Sequence, residues 1–115
     1  MLRQLLTCLC LTAALVLPGC GGGGGSGGGD DREPTVSMKG LRFHPATLSV
    51  RVGDRVTWTN DEAVDHNVTA TRGARFHSRA FGSGKTYSFT AKRPGLVKYV
   101  CTLHPGMEGT LRVKR

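Results

Sequence analysis

Between Asp65 and Glu108 the chain carries no acidic residue, although that stretch spans more than a third of its 115 positions. The same interval holds Arg72, Arg75, Arg79, Lys85, Lys92, Arg93 and Lys98. The net charge is +8, and it becomes +7 without residues 1–19, where Arg3 is the only charge. Such an imbalance draws a partner with an acidic face or an anionic membrane surface. Helical periodicity is missing too, which excludes a helix bundle. No apolar run is long enough for an ordinary spanning helix.

The longest such run, Leu5 to Leu17, has 13 residues and is interrupted mainly by threonines. Preceded by the positive Met1-Leu2-Arg3-Gln4, it fits the apolar core of a signal peptide. It closes in Leu17-Pro18-Gly19-Cys20, which resembles a bacterial lipobox, and the resemblance makes Cys20 the lipidated first residue of the mature chain. Residues 21–29 are glycine except for Ser26. A coil of that kind has an end-to-end distance of roughly 15–20 Å. The expected organisation is therefore a lipoprotein-type signal peptide over 1–19, a lipid-anchored glycine-rich linker over 20–34 and one folded domain over 35–115. An exported chain rarely meets nucleic acid, and no nucleic-acid motif is present, so no such partner is expected.

Thiols are scarce where they would count. Of four cysteines, Cys8 and Cys10 lie in the apolar run and Cys20 ends it. Cys101 alone remains for the folded part, so no internal disulfide is expected. A domain of about 85 residues is marginal on hydrophobic burial alone, and a metal staple would be in keeping. A lone thiol in an exported protein is a liability unless something such as a metal occupies it.

Short alternating segments bounded by turn residues fill the rest. Val36 and Met38, Leu41 and Phe43, Leu48 to Val52, and Val56 with Trp58 alternate in turn. Val68 with Ala70, Thr86 to Thr90, Leu96 to Cys101 and Leu111 with Val113 follow. Period two over seven to eight short strands predicts an all-β, Greek-key β-sandwich. Trp58, Tyr87 and Phe89 are expected in the core or at its margin.

Chemistry concentrates in Cys101-Thr102-Leu103-His104-Pro105-Gly106-Met107, a C-x-x-H-x-x-M loop. Val97, Tyr99 and Cys101 share one strand face, so Cys101 enters the interior where its strand ends. Pro105 and Gly106 oppose continuation of the strand, which lets His104 and Met107 curl back toward the thiol. His66, 35 positions before Cys101, is expected at the start of another strand, closing the site from a neighbouring element. Soft sulfur donors exclude magnesium and calcium, and structural zinc usually takes four Cys or His ligands. Two His, one Cys and a weak Met are the donors of a blue-copper site. No general base, paired carboxylate or open substrate position accompanies them, so an enzyme is not expected. His44 and His77 lack soft partners at ligand spacing and are expected at the surface or in turns.

The phrases Phe43 to Val50, Gly53 to Asn60, Asp65-His66-Asn67-Val68, Phe76-His77-Ser78 and Tyr99 to Met107 resemble the cupredoxin family, and its plastocyanin and amicyanin-like branch in particular. The short loop looks most like amicyanin. His77 stands where the family often has aspartate. The resemblance implies His66, Cys101 and His104 as equatorial copper ligands, Met107 as the axial one, and Asn67 as the residue bracing the cysteine-bearing loop.

The function this implies is a monomeric one-electron carrier, cycling one copper between Cu(I) and Cu(II). The electron would leave through His104, with Leu103, Pro105 and Gly106 as apolar docking surface. Partners would be transient redox proteins with an acidic docking face. The location would be the periplasm or the outer face of the cell membrane, with lipid on Cys20 as anchor. A copper carrier or storage protein of the cell envelope is the alternative, and a metal-free interaction module a further rival.

Overall fold

The computed structural model describes residues 33–115. The expected signal segment, Cys20 and all but the last two residues of the expected linker lie outside the described residues. Eight strands occur among the described residues: β1 (Thr35–Lys39), β2 (Arg42–His44), β3 (Thr47–Arg51), β4 (Arg55–Asn60), β5 (Thr69–Arg72), β6 (Thr86–Thr90), β7 (Gly95–Val100) and β8 (Glu108–Lys114). They form two four-stranded sheets, ordered β2-β1-β4-β6 and β3-β8-β7-β5. Every step from β2 to β7 changes sheet, which gives the expected Greek-key sandwich. The pairs β1–β4 and β3–β8 are parallel, and the other strand pairs are antiparallel.

Alternation puts one face of each inner strand in the core. β1 buries Val36 and Met38, β7 buries Val97 and Tyr99, and β8 buries Leu111 and Val113. Trp58 on β4 is fully buried and meets the Tyr99 ring edge to face, with centroids 5.2 Å apart at 83°. Phe43 meets the same Tyr99 ring at 4.7 Å and 76°. Edge-to-face pairs contribute about 0.5–1.5 kcal/mol each beyond the area they bury. Tyr87 and Phe89 pack half-buried against this cluster, as expected of margin residues.

Four of the expected apolar positions, Leu41, Val52, Val68 and Cys101, fall outside strands. Leu41 follows Gly40 in the β1–β2 turn, and the two have φ of 57° and 63°. Tight hairpin turns need that left-handed pair to match the strand twist. Val52 lies past the end of β3, exposed in the turn to β4.

The sandwich has two distinct ends. β4 and β7 finish at one of them, where β5 and β8 begin. The other end holds the β3–β4 and β6–β7 turns and the C-terminus. Three backbone hydrogen bonds knit it: Val52 N to Lys114 O at 2.8 Å, Gly53 N to Ala91 O at 2.7 Å and Ala91 N to Asp54 O at 2.9 Å.

Candidate metal centre

Cys101 follows β7 directly and is 3% exposed, on the same inward face as Val97 and Tyr99. The chain then loops to Met107 and re-enters the sheet as β8. Cys101 N donates to Met107 O at 3.0 Å and Met107 N donates to His104 O at 3.2 Å, which closes the loop on itself. Gly106, at φ 84°, supplies the left-handed residue of that bend. Met107 is buried and His104 is half-buried, and the two backbone bonds hold both residues close to Cys101.

His66 arrives from the long β4–β5 connection. It lies three residues ahead of β5 rather than at the start of a strand, held in an isolated bridge to Phe81: His66 N donates to Phe81 O at 3.1 Å and Phe81 N to His66 O at 2.8 Å. The fully buried Asn60 at the end of β4 shapes this connection. Its Nδ2 donates to Val64 O at 2.8 Å and Phe81 O at 2.9 Å, and its Oδ1 accepts from Glu62 N at 3.0 Å. A buried amide satisfied on both sides fixes a loop firmly, since each lost partner would leave a desolvated group costing about 1–3 kcal/mol.

The donor atoms of His66, Cys101 and His104 lie within 4.8 Å of one another. Nδ1 of His66 is 3.7 Å from the thiol sulfur and Nδ1 of His104 is 3.5 Å from it. Asn67 N points at the same sulfur from 3.5 Å. The other nitrogen of His66, Nε2, donates to Glu62 Oε1 at 2.5 Å. A carboxylate can only accept, so the hydrogen belongs on Nε2 and the lone pair on Nδ1, facing the sulfur. Two imidazoles, a cysteine sulfur and a buried thioether suit copper and not a hard cation.

Glu62 is a carboxylate at the site that the sequence reading did not single out. Its oxygens are engaged: Gly40 N donates to one at 2.7 Å, and Leu41 N donates to the other at 3.0 Å. Burial pushes its carboxyl up, but the hydrogen bonds from Leu41, His66 and Gly40 outweigh that and hold it below the ordinary carboxylate value. A glutamate four residues before a ligand histidine was the available signal. The left-handed turn that anchors it could be found only by folding β1 and β2 beside the connection.

Asn67 sits beside the cysteine loop, with Nδ2 donating to Thr102 Oγ1 at 2.6 Å and Oδ1 accepting from Thr102 N at 3.0 Å. His44 and His77 stay outside the centre. His44 Nε2 donates to Lys39 O at 3.0 Å, and His77 Nδ1 pairs with Thr69 Oγ1 at 2.9 Å, both at exposed positions.

A two-sheet sandwich with two imidazoles, a thiolate and a thioether gathered at one end defines a small copper-binding β-sandwich. The chain belongs to the plastocyanin/azurin family of copper-binding proteins, whose sequence profile matches residues 32–114. It is 35% identical over 83 residues to amicyanin-alpha of Methylorubrum extorquens, an alignment covering 69% of this chain and 70% of that one. It is also 35% identical over 83 residues to amicyanin of Paracoccus denitrificans, covering 69% of this chain and 63% of that one. Among solved structures, the reduced Cu(I) form of an amicyanin variant superposes with a TM-score of 0.68 at 34% identity. That match covers 73% of this chain and 84% of the other.

Proposed function

We propose that the domain is a blue-copper electron carrier in which His66, Cys101 and His104 hold the ion and Met107 caps it. One observation carries this reading: a buried thiol with the Nδ1 atoms of two histidines turned toward it at 3.5 and 3.7 Å. When bound, copper supplies a one-electron change between Cu(I) and Cu(II).

The chain's own residues do the rest. Glu62 fixes the tautomer of His66, and Asn67 clasps the loop that carries Cys101, so the donors keep their places when the charge on the site changes. Burial of His66, Cys101 and Met107 keeps water away from the sulfur and argues against ready hand-off of the ion. His104 alone of the four reaches the surface, which makes its imidazole edge the path for the electron. Leu41, Val64 and Leu103 are exposed at the same end, at 47%, 44% and 47%. With Pro105 and Gly106 they offer an apolar rim suited to weak, short-lived docking of redox proteins.

The remaining features belong to this reading as well. Leu17-Pro18-Gly19-Cys20 supports export and lipid attachment at Cys20, with 20–34 as tether and 35–115 as a monomeric domain in the periplasm or on the outer face of the cell membrane. The test is colour. Oxidised, copper-loaded protein should absorb intensely toward the red end of the visible through thiolate-to-copper charge transfer, and Cys101→Ser should abolish the band. A colourless copper complex, or colour retained in Cys101→Ser, rejects the assignment.

A further inference from the structure

We propose that the end of the sandwich remote from His66 and Cys101 is a binding surface for anionic phospholipid headgroups, which seats the domain on a bilayer with the metal centre facing away from it.

The strand register locates this surface. β4 and β7 finish at the metal centre, so their first residues, Arg55 and Gly95, mark the opposite end. Six extended residues separate the two ends by roughly 20 Å. Basic side chains gather at that far end. Arg51 and Arg55 flank the β3–β4 turn, Arg72 and Arg75 bracket the turn after β5, Lys92 and Arg93 occupy the β6–β7 turn, and Lys114 and Arg115 finish the chain. All are exposed, and none forms an ion pair with a described carboxylate. Among the described residues, the only acidic side chains that oppose them are those of Glu33 and Asp54, and Asp54 Oδ2 accepts from Arg51 N at 2.8 Å.

At the metal-centre end the signs balance. Lys39, Arg42, Arg79 and Lys85 are met there by Asp61, Glu62, Asp65 and Glu108. The basic excess is therefore polarised along the molecule. Charges roughly 20 Å from His104 lie more than two screening lengths away at physiological salt, too far to guide a redox partner onto it.

Shape and exposed apolar residues select lipid over an acidic protein. A cleft of about 680 Å³ opens at this end, with Phe89, Ala91, Val97 and Val113 inside and Arg75, Lys92 and Arg93 at its rim. Leu96, 53% exposed, and Val52, 42% exposed, lie at the same end of the sandwich. Cations around an apolar recess match a phosphate above and acyl carbon below, whereas an acidic protein face would leave the recess unmatched. The chain also enters the domain at this end: Thr57 N donates to Pro34 O at 3.0 Å, and Thr35 lies opposite Thr57 at the start of the parallel β1–β4 pair. The inference does not depend on lipid at Cys20, since a chain without the anchor would keep the same surface.

Flotation of the full-length, copper-loaded chain with vesicles tests it. Vesicles of phosphatidylcholine alone are compared with vesicles that also contain phosphatidylglycerol. Any contribution of the N-terminal segment to neutral lipid cancels in the ratio of the two partition coefficients, read at lipid concentrations where binding is incomplete. Each basic residue at an anionic surface contributes about fivefold. Arg75→Glu/Lys92→Glu/Arg93→Glu should therefore lower the anionic-to-neutral ratio by at least about tenfold, and high salt should do the same to the unaltered chain. Lys39→Glu/Arg42→Glu/Lys85→Glu, which removes equal charge at the other end, should change the ratio by less than about twofold. A retained visible band shows that a variant is folded; if the first triple variant loses it, the corresponding Gln substitutions are read in its place. An unchanged ratio in the far-end variant, or an equal fall in both variants, overturns the proposal.

Discussion

Asn67 and Thr102 hold each other through two hydrogen bonds, the amide donating to the hydroxyl at 2.6 Å and its oxygen accepting the backbone N–H at 3.0 Å. The backbone N–H of the same asparagine points at the Cys101 sulfur. One residue next to His66 thus positions the loop that brings Cys101 and His104 together. Asn67→Ala leaves the Thr102 N–H without its partner in a partly buried setting, and urea unfolding of the metal-free protein should show a loss of about 1–3 kcal/mol. Copper affinity, read by competition with a chelator, should fall about 10–100-fold as the loop loosens.

Glu62 acts on the other half of the site. It ties the β1–β2 turn to Nε2 of His66, so that Nδ1 keeps its lone pair. Glu62→Ala removes the acceptor that selects this tautomer and should weaken copper binding about 10–100-fold. Glu62→Gln keeps one carbonyl oxygen for His66 and should fall between the two. If both variants bind copper as the unaltered protein does, the carboxylate does not position His66.

The strands were legible because their apolar residues alternate. Val36 and Met38, Val56 and Trp58, and Leu111 and Val113 each mark a buried face that the structure reproduces. The converging loop was legible because Pro105 and Gly106 break the strand within reach of Cys101. What could not be read were contacts made between distant segments. Leu41 resembled a strand residue, yet the hairpin needs it at φ 57° beside Gly40, where its N–H meets Glu62. Asn60 looked like the end of a strand and turned out to hold the connection carrying His66. The basic stretch from Arg72 to Lys98 was continuous in sequence, but folding sends Arg79 and Lys85 to one end and Arg72, Arg75, Lys92 and Arg93 to the other.

Gly109 illustrates a close approach that only the packed sandwich imposes. A Cβ at this position on β8 would come within 2.3–2.5 Å of three atoms of the Tyr99 side chain, two ring carbons and the hydroxyl oxygen. That ring is itself wedged between Trp58 and Phe43 and cannot swing aside. Gly109→Ala should therefore destabilise the protein by about 1–3 kcal/mol or more, seen as a lower urea midpoint with an unchanged slope. Gly40→Ala is a useful contrast: a Cβ there meets nothing within 4 Å, and only its φ of 63° opposes the change. Its cost should be about 1 kcal/mol.

Tyr99 also gives the fold a measurable alkaline limit. Its hydroxyl and the Trp58 Nε1–H are both buried without a hydrogen-bond partner. Burial pushes the phenol up to about 12, with the nearby Trp58 N–H working weakly against it. In the unfolded chain the same phenol ionises near about 10. Between those values the unfolded state has given up the proton and the folded state has not, so unfolding becomes easier as pH rises through this window. The total loss should be about 2–3 kcal/mol, levelling off above the folded value. Urea midpoints measured from about pH 9 upward should fall accordingly. Tyr99→Phe removes both the titration and an unsatisfied hydroxyl. It should equal or exceed the parent in stability near neutrality, and it should lose most of the alkaline slope. The slope that remains would come from Tyr87, whose phenol is also raised by burial. An equally steep decline in Tyr99→Phe would assign the alkaline limit to another group.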